Sequence, residues 1–261
     1  MNYQGEFKGK KVVITGAAGI YGGRIAAAFA AEGAVLCLSD NRRDKLDEVA
    51  ARLGLDAATT LLHGTDLTVD ASIAELAATV GSAWGAPDIV INNAGIYPRT
   101  GVLINLDAAE FDRIMSVNVR APFLVTQAMA RLMIAQGVQG SFITIGSGAA
   151  RQMPTGSVTY CVSKTAVERL SKGQALELAP HKIRVNVVEP GFAPGSEVSL
   201  LPADYVERMI ARIPLGRMGQ EHETAGMVLY LSSQNAAFIT GTVVAVDGGN
   251  SIGTYQPATN T

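Results

Sequence analysis

Residues 10–33 read KKVVITGAAGIYGGRIAAAFAAEG. The opening is a continuous apolar, β-branched run, which predicts a strand buried on both faces over residues 10–16. The close is rich in alanine and stopped by Gly33, which predicts a helix over 20–33. Between them Gly16, Gly19 and Gly22 recur every third residue. A glycine ending a strand permits a tight turn, one in the loop lets a phosphate approach backbone N–H groups, and one on the helix allows close packing against the strand. The usual G-x-G-x-x-G spacing is absent, and Ile20 holds the place where one familiar version carries its middle glycine. The stretch fits a cofactor loop with an altered path, compensated at Gly19, and it also fits an ordinary packed strand-to-helix turn.

The same alternation continues outward. Strands are predicted over residues 34–40, 59–66, 87–95, 141–147, 183–191 and 242–249. Helices are predicted over 43–54, 70–85 with Asp70 as N-cap, 107–136 as one long helix, 156–180, and near 203–212 and 221–233. Strands without polar alternation, each followed by a helix, define a doubly wound α/β fold. The expected architecture is a mostly parallel seven-stranded sheet with helices on both faces, a three-layer α/β/α sandwich. No Pro/Gly/Ser linker divides the chain, so one domain is expected over 1–261, with a loose tail over 254–261.

Composition removes several classes of function. With 261 residues, 48% hydrophobic and 17% charged, the chain can bury a large core. A net charge of −2 gives no broad attraction to nucleic acid or acidic membranes. No apolar run reaches membrane-spanning length and the opening MNYQGEFKGKK has no signal-like apolar segment, so a cytoplasmic protein is expected. Cys37 and Cys161 read as small buried hydrophobes, and the three histidines show no metal-ligand spacing.

Ligands of doubly wound sheets bind at the carboxyl ends of the strands, and the remaining candidates cluster there. Asp40 ends the second strand, where a carboxylate suits a ribose 2′-hydroxyl and repels a 2′-phosphate. That favours NAD over NADP. Arg42 and Arg43 could swing toward a phosphate, or could be solvated charges opening the next helix. In YCVSK, Tyr160 and Lys164 stand at i and i+4 on one helix face. A lysine ammonium favours the phenolate, which converts a tyrosine of ordinary pKa into a general acid/base. Ser147 follows the fifth strand, where its hydroxyl can hold a substrate oxygen. Asn118 interrupts the apolar stretch FDRIMSVNVRAPFLV, consistent with either a structural or a proton-relay role.

With TGAAGIYG, Asp66 in HGTDLT, NNAG at 92–95, Asn118, Ser147, YCVSK, EPG at 189–191 and AVDGG in this order, the chain resembles the short-chain dehydrogenase/reductase superfamily, in its compact single-domain branch, over about residues 8–250. The resemblance implies that Gly16, Gly19, Ile20, Tyr21 and Gly22 hold a pyrophosphate. Asp40 would take the adenosine ribose, Asp66 and Leu67 the adenine, and Asn93, Ala94 and Gly95 would flank the adenosine-side ribose. It implies Tyr160 as acid/base, Lys164 on the nicotinamide ribose, Ser147 on the carbonyl, Asn118 anchoring a relay water, and Pro190 and Gly191 supporting the nicotinamide. A homotetramer is also implied.

Two departures stand out. Similar proteins carry a threonine shortly after PG, where this chain has Gly195 and then Ser196. The glycine spacing resembles that of the family's longer branch of epimerases and dehydratases, but the two helices, strand and tail expected after Gly191 argue against their extra substrate domain. Tyr97, Arg99, Gln152, Met153 and Phe192 are expected to line the substrate pocket, with residues 193–213 as a lid. The reading is an NAD(P)-dependent enzyme interconverting a secondary alcohol and a ketone. A 3-oxoacyl-thioester reductase-like enzyme and a cofactor-binding regulatory protein on the same fold are the alternatives.

Overall fold

The computed structural model describes residues 3–97, 101–193, 195, 202–253 and 255, apart from the Tyr205 side chain. Arg99, Pro194, Ser196, most of the proposed lid before Pro202 and nearly all of the tail lie outside the described residues.

The strands are β1 (Lys11–Thr15), β2 (Val35–Asp40), β3 (Leu61–Gly64), β4 (Ile89–Asn92), β5 (Ser141–Ile145), β6 (Arg184–Pro190) and β7 (Val243–Val246). The α-helices are α1 (Ile20–Ala31), α2 (Arg43–Arg52), α3 (Asp70–Trp84), α4 (Ala108–Met115), α5 (Ala121–Ala135), α6 (Val158–Leu178), α7 (Ala203–Ile210) and α8 (Glu221–Ser232). All seven strands are parallel, in the order β3-β2-β1-β4-β5-β6-β7. The order reverses between β1 and β4, the switch point at whose carboxyl edge sheets of this kind bind their ligands.

Both sheet faces are covered, which explains the unbroken apolar strands. Val12 and Ile14 of β1 pack with Ile25 and Phe29 of α1 and Val228 of α8. The intervening Val13 packs on the other face with Leu76 of α3, Met129 of α5 and Phe142 of β5. Each fully buried side chain of this size contributes about 1.5–3 kcal/mol relative to exposure.

Two expectations are corrected. Asp70 does not cap α3: the cap position is Val69, and Asp70 instead pairs with both terminal nitrogens of Arg120 at 2.5 and 2.6 Å. Nor is 107–136 one helix. It is α4, a π turn over Ser116–Arg120, and α5, with Asp107 capping α4 through the N–H of Ala109. Pro122 supplies the reason, because it has no N–H for the carbonyl four residues back, which is that of Asn118.

Candidate active site

The loop after β1 is shaped by what its residues lack. Gly16 turns at φ +64°, and a Cβ there would stand 2.7 Å from Ala94 Cα. A Cβ on Gly22 would lie 2.2 Å from the Gly16 carbonyl oxygen. Gly19 has ordinary extended backbone (φ −79°), so its value is space: a Cβ would meet the Gly16 oxygen at 3.2 Å. No side chain caps α1. The opening N–H groups of a helix have no intrahelical acceptors and favour anions. This bare cradle fits a pyrophosphate.

Neighbouring loops clamp the cradle. Asn93 Nδ2 donates to the carbonyls of Thr15 and Gly16 at 3.0 and 2.9 Å, while the Thr15 hydroxyl accepts from Asn93 N and Ala94 N. The Asn93 side chain is therefore a strap joining β1 to β4 through its Nδ2. Tyr21 was expected to offer backbone groups. Its hydroxyl also donates to the Gly191 carbonyl at 2.5 Å, bridging α1 to the loop after β6, and burial pushes its pKa up to about 12. That side-chain role has no local sequence signature.

Asp40 is buried at the end of β2. Its Oδ2 accepts from Ala18 N at 3.1 Å, and its Oδ1 accepts from Arg42 N and Nε. Arg42 is thus an ion-pair partner of Asp40, and Arg43 pairs with Asp47. Asp66 is exposed, its carboxylate accepting from the Thr68 N–H and hydroxyl, which hold its pKa below the usual range. Leu67 packs against the core formed by α3 and α5.

The opposite wall carries the ionisable groups. Ser147 caps a short 3₁₀ turn through the N–H of Ala149 at 3.2 Å. One turn apart on α6 stand Tyr160 and Lys164, with the lysine Nζ 5.8 Å from the phenol ring centre. Lys164 is buried and donates to the Ile145 carbonyl at 2.9 Å; desolvation pulls its pKa down to about 8, against the field of Glu189. Tyr97 meets the Tyr160 ring edge-on, with centres 4.5 Å apart, and its hydroxyl shares a 3.4 Å hydrogen bond with Ser157. Asn118 engages its whole amide: Oδ1 accepts from Ile96 N, and Nδ2 donates to Ile96 O and Ser163 Oγ.

Gly95 joins the two walls, since a Cβ there would lie 3.4 Å from Asn118 Oδ1 and 3.5 Å from Lys164 Nζ. Gly191 fits closely under Asp247, since a Cβ there would stand 2.6 Å from Asp247 Cα, and it follows the half-buried Pro190. Of the pocket candidates, Tyr97 touches Tyr160 directly. Gln152 donates to the Asn250 carbonyl, Met153 is exposed, and half-buried Phe192 accepts from Gly219 N. Sequence reading missed Glu189. Its signal was available: one carboxylate inside the otherwise apolar end of RVNVVEP, on a parallel strand buried on both faces.

Among the described residues no helix is long and apolar enough to cross a membrane, and no three acidic, histidine or cysteine side chains converge as a metal site.

A doubly wound parallel sheet with a glycine cradle on one side of its switch point and a Ser–Tyr–Lys wall on the other defines a class of dinucleotide-dependent oxidoreductases. The chain belongs to the short-chain dehydrogenase/reductase family: a family model described as enoyl-(acyl carrier protein) reductase matches residues 16–251. It is 35% identical over 245 residues to a 3-oxoacyl-[acyl-carrier-protein] reductase of Thermotoga maritima, covering 93% of this chain and 98% of that protein. It is 32% identical to a sorbitol dehydrogenase of Cereibacter sphaeroides, covering 93% and 97%. A xylitol dehydrogenase solved with NAD+ bound superposes with a TM-score of 0.86 at 29% identity, covering 94% of this chain and 100% of that one. Family members are NAD(P)-dependent oxidoreductases acting on CH–OH or keto groups.

Proposed function

We propose that the protein interconverts a small secondary alcohol and its ketone, preferring NAD(H), with Tyr160 as general acid/base. The observation carrying this reading is the buried Lys164 ammonium one helical turn from Tyr160, tied to the Ile145 carbonyl. A positive charge held there at low dielectric favours the phenolate. In the oxidation direction Tyr160 Oη takes the hydroxyl proton while Ser147 Oγ donates to the same substrate oxygen. An oxidised nicotinamide, when bound, would supply the acceptor for the hydride of the alcohol carbon. Asn118 holds the loop at Ile96 against α6, and its own carbonyl, deprived of an α-helical donor by Pro122, is the group suited to a relay water. Gly16, Gly19, Ile20, Tyr21 and Gly22 would hold the pyrophosphate, and Gly95 would admit a ribose beside Lys164. Tyr97 and Phe192 would shape the substrate side.

The buried Asp40 carboxylate supports NAD over NADP, because a 2′-phosphate would stand against it. Binding is best followed by the fluorescence of the reduced nicotinamide, with NADH and NADPH titrated separately; tighter NADPH binding refutes the preference. The activity is tested with sorbitol, xylitol and a short 3-oxoacyl thioester. Turnover of at least one by the wild type and not by Tyr160→Phe is expected. Cofactor binding with equal turnover in both proteins would rule the reading out.

A further inference from the structure

Glu189 is the buried charge that the proposed mechanism does not use. Its side chain is fully inaccessible at the end of β6. Oε2 lies 2.7 Å from Arg151 Nη2 without hydrogen-bond alignment, and neither carboxylate oxygen has a hydrogen-bond partner. A carboxylate so placed is costly unless opposite charges compensate it. Gly146 makes room for it, as a Cβ there would stand 2.9 Å from Glu189 Cγ and 2.8 Å from Val187 Cγ1. Gly146 directly precedes Ser147 and directly follows Ile145, whose carbonyl accepts from Lys164. Glu189 therefore backs the short segment that carries the substrate-binding serine and the lysine's acceptor.

We propose that Glu189 is a positioning residue for the reaction: a buried counter-charge of the Lys164 ammonium, itself secured by Arg151. The inference rests on the acid/base reading above.

The electrostatic setting agrees. Burial pushes Glu189 up to about 7, opposed by Arg151 and Lys164 and assisted by Glu168 of α6 and Asp247 beyond β7. Desolvation pulls Lys164 down to about 8, and the field of Glu189 opposes that pull. The carboxylate therefore gains its charge just below the range in which the lysine loses its proton. Asp247 is occupied by the N–H groups of Gly249 and Ser251, and Arg151 is braced by the Ser251 hydroxyl at 3.1 Å.

The test needs no substrate. The Lys164 side-chain NMR signal of the full-length protein, assigned by its loss in Lys164→Arg, is titrated in the wild type, Glu189→Gln, Arg151→Gln and Arg151→Lys. The expected midpoint falls by about one pH unit in Glu189→Gln. It falls in the same direction in Arg151→Gln, where Glu189 keeps its proton, and returns in Arg151→Lys. For whichever panel alcohol is turned over, the alkaline limb of kcat/KM in Glu189→Gln moves down equally, about a tenfold loss one unit above it. An unmoved Lys164 midpoint in Glu189→Gln overturns the proposal, and if that variant does not fold, an unmoved midpoint in Arg151→Gln does so. Full turnover by Tyr160→Phe would remove the acid/base reading alone, because the Lys164 midpoint still decides the pairing.

Discussion

The two walls of the candidate site are built on opposite principles. The β1–α1 wall works by absence: Gly16 and Gly22 leave no room for a single added carbon, and no side chain caps α1. The β5–α6–β6 wall works by presence, with Lys164 and Glu189 both buried and charged where an apolar core would otherwise sit. The first wall should tolerate no gained atom and the second no lost charge. In the proposed function, binding energy belongs to the first and proton chemistry to the second.

The sharpest way to break this contrast is Tyr160→Phe. It keeps the ring against Tyr97 and removes only the hydroxyl, so a loss of about a thousandfold in kcat with little change in NADH affinity is expected. Steady-state kinetics and nicotinamide fluorescence separate the two. Gly22→Ala should give the converse. One methyl pressed onto the Gly16 carbonyl costs about 1–3 kcal/mol in stability and weakens NADH binding by about tenfold or more, read by thermal melting and titration. Wild-type NADH affinity in that variant would break the account of the cradle.

A smaller effect concerns pH and stability. Glu189 has a folded pKa raised from 4.5 to about 7, so the folded state holds its proton more tightly than the unfolded state. Its stabilising share is complete below about pH 4.5 and is lost as pH rises through about 7. Lys164 runs the other way: its folded pKa is depressed from 10.5 to about 8, so its share is complete above about 10.5 and lost as pH falls through about 8. Denaturant unfolding of Glu189→Gln from pH 4.5 to 7 should therefore lose about 1–3 kcal/mol less stability than the wild type. A slope identical to the wild type would place Glu189 outside the folded-state titration. The smallest effect is Asp40→Asn, which should shift the NADPH-to-NADH affinity ratio about tenfold toward NADPH by removing the charge beside the ribose.

How much was legible follows from the same contrast. The seven strands could be read because a parallel strand buried on both faces must be apolar throughout. The cradle could be read because glycine is the only residue that does its work. Ser147, Tyr160 and Lys164 were identifiable by type and by the i, i+4 spacing. The break at the π turn was not identified, although Pro122 marks it: proline in the first turn of a helix is ordinary, and the sequence alone does not say that α5 starts there rather than running on from α4. Arg42 was read as a choice between phosphate and solvent because its partner Asp40 was weighed only as a ligand group.

By itself, the sequence determined the alternation of strands and helices, the cradle's lack of side chains and the spacing of Tyr160 and Lys164 on one helix face, all consequences of local pattern. Only the tertiary structure decided which far-apart residues meet. It set Tyr21 against Gly191, Asn93 against β1, and Glu189 behind the segment that anchors Lys164. The physical reason is that burial and charge coupling depend on distance through space, and neighbouring strands of this sheet come from separate parts of the chain.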